Sequence, residues 1–166
     1  MPEIIDNLGD RLPRLRAWAE AQPLAVLIDV PIAAGRRECW YGLGIDTAEP
    51  ELIPGLDDSL VQELGLRYLP RWNSGLLVEC DAGVGIEQHV DPACFDEWGV
   101  TVSLGEARWI EGRGADVTTT ALHDGDVLRF RTASAHGMEP ASHPQYSLLF
   151  RTILPHYTNS SALARR

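Results

Sequence analysis

Gly75-Leu76-Leu77-Val78-Glu79-Cys80, Ile86-Glu87-Gln88-His89-Val90 and Val100-Thr101-Val102-Ser103-Leu104 decide the fold class. The first and third are largely apolar or β-branched, the second begins and ends on a β-branched residue, and turn-forming Gly, Asp and Pro stand between them. The rhythm continues at residues 108–110, 117–120, 126–131 and 146–154. Strands recurring every 8–12 residues or so between turn signals mark a sandwich or barrel. Toward the N-terminus the pattern changes. Ile4, Ile5, Leu8, Leu12 and Leu15 recur near helical spacing and predict a helix, kinked at Pro13. Residues 24–30 and 38–45 predict strands, and Asp57 or Asp58 caps a short helix through Leu64 that Gly65 ends. The expectation is a mainly β protein: an N-terminal α/β extension over 1–74, a β core over 75–158 and a frayed tail over 159–166, together one domain.

Composition narrows the function classes. The chain has 166 residues, a formal charge of −10 and a 45% hydrophobic content, enough to bury a real core. No apolar run approaches the roughly 18 residues of a membrane span. The acidity argues against a protein that coats an extended nucleic-acid duplex by counterion release. All 14 basic residues are Arg, the side chain suited to bidentate carboxylate or phosphate contacts. Arg36-Arg37 and Arg129 with Arg131 are local positive spots. Cys39, Cys80 and Cys94 are odd in number and lack CxxC spacing, so neither a disulfide framework nor a structural zinc site is expected. A reducing cytoplasm fits this usage.

The chemistry centres on Gln88-His89-Val90-Asp91. In a strand, residues two apart share a face, so His89 and Asp91 can converge on one ion. A third ligand must come from His123, His136, His143 or His156. Two histidines and one carboxylate on one face of an octahedron form the facial triad of non-haem Fe(II) oxygenases.

The order of motifs adds to this. Gly83-Val84-Gly85-Ile86 leads into His89-Val90-Asp91; Ser103-Leu104-Gly105, Gly125-Asp126, His136-Gly137-Met138-Glu139-Pro140 and a closing strand ending at Arg151 follow. Upstream stand Arg36-Arg37 and Tyr41-Gly42. Over residues 36–154 this order resembles the AlkB-like branch of the Fe(II)/2-oxoglutarate dioxygenases. The resemblance implies a double-stranded β-helix (jelly-roll) core, with His89, Asp91 and His136 as metal ligands and catalytic centre. It also implies Fe(II), 2-oxoglutarate as cosubstrate and O2, with Arg151 taking a cosubstrate carboxylate and Ser147, on the same side of that strand, adding a hydrogen bond. Phe130 and Trp109 are candidates for lining a substrate pocket or for packing the core, while Trp18, Trp40, Trp72 and Trp98 read as structural.

Departures from the family pattern fall in one place. Gln145 stands where the family has an Arg, Ser147 where it has an Asn, and Val78 and Cys80 where it has an Asn–Tyr pair. The iron site is expected intact and the cosubstrate shell remodelled, with Arg131 a possible compensating cation. The resemblance implies hydroxylation of a substrate C–H bond, with loss of formaldehyde where that carbon is an N-methyl. Substrate classes are an alkylated nucleobase, a protein side chain or a small metabolite. The alternative is a non-catalytic metal- or ligand-binding module on the same scaffold.

Overall fold

The computed structural model describes residues 1–26, 35–46 and 51–158. Its elements, in chain order, are β1 (Glu3–Asn7), α1 (Leu12–Glu20), β2 (Ala25–Val26), β3 (Arg36–Asp46), β4 (Glu51–Pro54), α2 (Ser59–Tyr68), β5 (Ser74–Cys80), β6 (Ile86–His89), β7 (Trp98–Leu104), β8 (Ala107–Glu111), β9 (Thr118–Leu122), β10 (Asp126–Arg131), β11 (His136–Met138), β12 (Gln145–Arg151) and α3 (Pro155–Thr158). The major sheet runs β1-β10-β7-β12-β5-β3-β2, with β4 joined to β3; the minor sheet runs β6-β11-β8-β9. The pairings are antiparallel.

The major sheet is covered on both faces, which is why β5 is buried along its whole length. Cys39, Tyr41, Leu77, Val102, Leu148 and Phe150 point outward onto Leu15 and Ala19 of α1 and Leu60, Val61 and Leu64 of α2. The alternate residues Leu76, Val78, Cys80 and Leu149 point inward, toward the minor sheet. There Trp109 and Met138 meet Leu128 and Phe130 of the major sheet. Among the described residues no helix is long and apolar enough to cross a membrane.

Three sequence expectations are corrected. The first N-terminal element is a strand, because Ile4 and its neighbours pair with β10 at the sheet edge. The helix begins only at Leu12, and Pro13 sits in its first turn, where a missing N–H costs nothing, so it makes no kink. Gly65 does not end α2, which runs on to Tyr68; its side-chain-free surface receives Trp72, whose indole Nε1 would lie 2.3 Å from a Cβ there. Asp58 does cap α2, accepting from the N–H groups of Leu60 and Val61. Of the strand expected at 24–30, β2 covers Ala25–Val26, and residues 27–30 and the tail after Thr158 lie outside the described residues.

Candidate metal centre and its cavity

His89 ends β6 and His136 begins β11, and the two are direct cross-strand partners. Gly137 lets these strands close, since a Cβ there would sit 2.4 Å from the carbonyl oxygen of Ile86. Asp91 lies beyond the end of β6, so strand alternation does not place it. Its N–H donates to the Thr132 carbonyl at 3.1 Å, and its carboxylate is held by Arg151 of β12. One ligand atom from each of His89, Asp91 and His136 comes within 4.8 Å of the other two. His89 Nε2 is 3.7 Å from one Asp91 oxygen and His136 Nε2 is 3.9 Å from the other. Those gaps are too long for hydrogen bonds and suit three donors around one cation.

The protonation states agree with that use. A backbone carbonyl only accepts, so the contacts of His89 Nδ1 with the Glu87 carbonyl (2.9 Å) and of His136 Nδ1 with the Ser134 carbonyl (2.8 Å) place the proton on Nδ1. Each Nε2 is then turned to the centre, and the carbonyl on the far side of each ring fixes its orientation, as in metal-binding histidines. His136 Nε2 is buried and has no hydrogen-bond partner among the described residues. Burial keeps this imidazole neutral, lowering its pKa to about 4 against the pull of Asp91. Burial alone would raise the Asp91 pKa. The Arg151 charge and its two hydrogen bonds outweigh it and hold the carboxyl at about 2. Two neutral imidazoles and a carboxylate are the donor set that a divalent transition metal takes, so the residues fit Fe(II).

Trp109 stacks on His136, 5.0 Å between ring centres and 9° from parallel, and Phe130 packs 4.8 Å from the same imidazole. The two aromatics therefore both fill the core and wall the centre. A cavity of about 70 Å³ opens beside them, lined by both histidines, Trp109, Leu76, Val78, Leu149, Arg151 and Arg36. His89, with 32% of its side chain exposed against 2% for His136, marks the solvent side.

No family model matches this sequence, and no curated relative does. Solved structures do match. OsALKBH1 superposes with a TM-score of 0.61 at 14% identity, over 86% of this chain and 90% of that one. A Trichoplax adhaerens prolyl hydroxylase, solved with a peptide fragment of the hypoxia inducible factor oxygen degradation domain, gives 0.64 at 15% identity over 96% and 87%. HygX from Streptomyces hygroscopicus, solved with nickel and 2-oxoglutarate bound, gives 0.63 at 10% identity over 91% and 82%. The fold is that of the 2-oxoglutarate/Fe(II) oxygenases. At these identities the likeness carries the jelly-roll architecture alone.

Within this oxygenase fold the remaining candidates sort by position. Arg151 lines the cavity, yet its Nε and one terminal nitrogen are both engaged by Asp91, at 2.7 and 2.9 Å. Ser147 is buried, its hydroxyl directed at Met138 Sδ. Gln145 and Cys80 are cross-strand partners, both buried. Arg131 does not compensate, because it is half exposed, paired with Glu97 and stacked over Trp98. Of the rival histidines, His123 faces Asp126 at the surface and His143 bonds to Ser142. In the sequence Arg36 read as a local positive spot and as part of the Arg36-Arg37…Tyr41-Gly42 segment, with no place in the site. Its signal, a basic residue at an even position of β3 in register with Cys80, exists only once the strands are aligned.

Proposed function

We propose that this chain is an Fe(II)- and 2-oxoglutarate-dependent oxygenase that hydroxylates a substrate C–H bond. The supporting observation is the His89–Asp91–His136 convergence, with the buried Nε2 of His136 lacking a hydrogen-bond partner among the described residues. Bound Fe(II), with 2-oxoglutarate and O2, supplies the oxidising chemistry. The chain's part is to present three ligands on one side and leave the other side open. Arg151 keeps Asp91 ionised and aimed. Trp109 and Phe130 fix the His136 ring, and with Leu76, Val78 and Leu149 they keep bulk water from the reaction space.

For the substrate we favour an AlkB-like choice, an alkylated base in a single strand or a methylated side chain, whose hydroxylated N-methyl would leave as formaldehyde. A small metabolite is the alternative. The formal charge of −10 supports either over an extended duplex. The test is anaerobic titration of the Fe(II)-loaded protein with 2-oxoglutarate. A weak visible charge-transfer band that saturates, and is absent in His136→Ala, is the expected result. Stoichiometric iron with no band would overturn the 2-oxoglutarate assignment and favour the metal-binding module.

A further inference from the structure

Strands β3, β5 and β12 lie side by side, and their register puts Arg36, Cys80 and Gln145 in one row across the major sheet. Directly paired residues of antiparallel strands share a face. This row therefore points inward on the same face as Val78, Leu76, Leu149 and Arg151, and Arg36 joins those four in the wall of the cavity beside the candidate metal ligands.

Among the described residues, the buried side-chain polar atoms without a partner gather on this interior. They include Arg36 Nε, Trp109 Nε1, His136 Nε2, Ser74 Oγ and both amide atoms of Gln145, with only Asp124 Oδ1 elsewhere. Gln145 is 2% exposed. A buried donor left unmet is costly, so a group of them marks a place built to receive acceptors. Three of these atoms, on Arg36, Gln145 and Trp109, are N–H donors, and one belongs to a cation. Their complement is an anion rich in oxygen.

Two arginines line the cavity, and only one is open to such a ligand. Arg151 has its Nε and one terminal nitrogen on Asp91. Arg36 is tethered at one terminal nitrogen to Glu38, at 2.5 Å, and leaves Nε unmet. Glu38, with 5% of its side chain exposed, sits two residues along the same inward face and offsets part of that positive charge.

Resting on the 2-oxoglutarate reading above, we propose that Arg36, seconded by Gln145, anchors the cosubstrate carboxylate farther from the metal, and that Glu38 tempers its affinity. The cation has moved from β12, where Gln145 now stands, two strands across the same row to β3. At about 4.8 Å per strand the two backbone positions lie about 10 Å apart, more than one arginine side chain spans, so the carboxylate would sit between Arg36 and Gln145. Arg36 and Glu38 then act as a pair: one attracts the dianion, and the other keeps its guanidinium positioned and its pull moderate.

The test is calorimetric titration of the Ni(II)-loaded protein with 2-oxoglutarate and, separately, with 2-oxobutyrate, which keeps the metal-chelating end and lacks the far carboxylate. Arg36→Met is expected to weaken 2-oxoglutarate binding roughly 10- to 100-fold, the worth of a charge-assisted hydrogen bond. It should leave Ni(II) and 2-oxobutyrate binding unchanged. Glu38→Gln is expected to tighten 2-oxoglutarate several-fold, and it reads the same site if Arg36→Met does not fold. Native protein that takes Ni(II) and not 2-oxoglutarate overturns the function reading and this assignment with it. Native binding that Arg36→Met leaves unaltered, or that Glu38→Gln weakens, overturns this assignment alone.

Discussion

Arg151 grips Asp91 at two points, Nε on one carboxylate oxygen at 2.7 Å and a terminal nitrogen on the other at 2.9 Å, with both side chains almost wholly buried. β12 thereby sets the orientation of the one proposed metal ligand that no strand carries. Removing one member of a buried pair costs about 3–5 kcal/mol, because the other charge is stranded. Arg151→Met is expected to lose about 3 kcal/mol in urea denaturation, and the double variant with Asp91→Asn should recover part of it. A loss below about 1 kcal/mol would show that the pair does not hold the site.

The two histidines differ in what else they support. His89 is at the rim, whereas His136 packs against both Trp109 and Phe130. His89→Ala should abolish stoichiometric Co(II) binding, followed by visible absorption, and change stability by less than about 1 kcal/mol. His136→Ala should abolish binding and also lose about 2 kcal/mol or more to the cavity it opens. Equal stability losses for the two would contradict this division.

Gly137→Ala probes the register that aligns the ligands. The new methyl would meet the Ile86 carbonyl oxygen at 2.4 Å, so β6 and β11 must part. A loss of about 1–3 kcal/mol is expected, with Co(II) affinity falling at least about tenfold. An alanine variant with native metal affinity would mean that the β6–β11 spacing is not what sets the ligand geometry.

In the metal-free protein, stability should fall in acid through two groups in turn. His136 has a folded pKa of about 4 against 6.5 in an unfolded chain, so the unfolded state binds more protons between those values. Its contribution, on the order of 3 kcal/mol, is complete above pH 6.5 and is lost as pH falls through 4. Asp91, lowered from 3.8 to about 2, adds a further loss between those values. Urea midpoints measured from pH 7 down to pH 4 should drop in the native protein and stay flatter in His136→Phe.

Cys80 should be inert while the protein is folded. Burial pushes its thiol pKa to about 11, opposed only in part by Arg36. Alkylation at pH 8, mapped by mass spectrometry, should spare Cys80 until denaturant is added. Rapid native-state labelling of Cys80 would show that the interior face opens.

Local patterns carried most of the β core. The runs in β5, β7, β10 and β12 are apolar enough to announce strands without knowledge of their partners, and Asp58 announced the cap of α2. β11 went unread as a strand because its three residues, His136–Met138, have no periodicity of their own; pairing with β6 and β8 makes them one. β1 was read as helix because two adjacent isoleucines satisfy either period, and a free edge of β10 decided between them.

The sequence by itself determined the number and order of most strands and the residue types able to bind a metal, since those depend on side-chain chemistry and near neighbours. Tertiary structure decided the rest. It brought His136, which the family resemblance had already named, up to His89 and Asp91, engaged Arg151 with Asp91, turned Arg131 to the surface and brought Arg36 inside. Each of those outcomes depends on strand register, and register is set by burying both faces of a sheet at once, a condition that no local stretch of sequence contains.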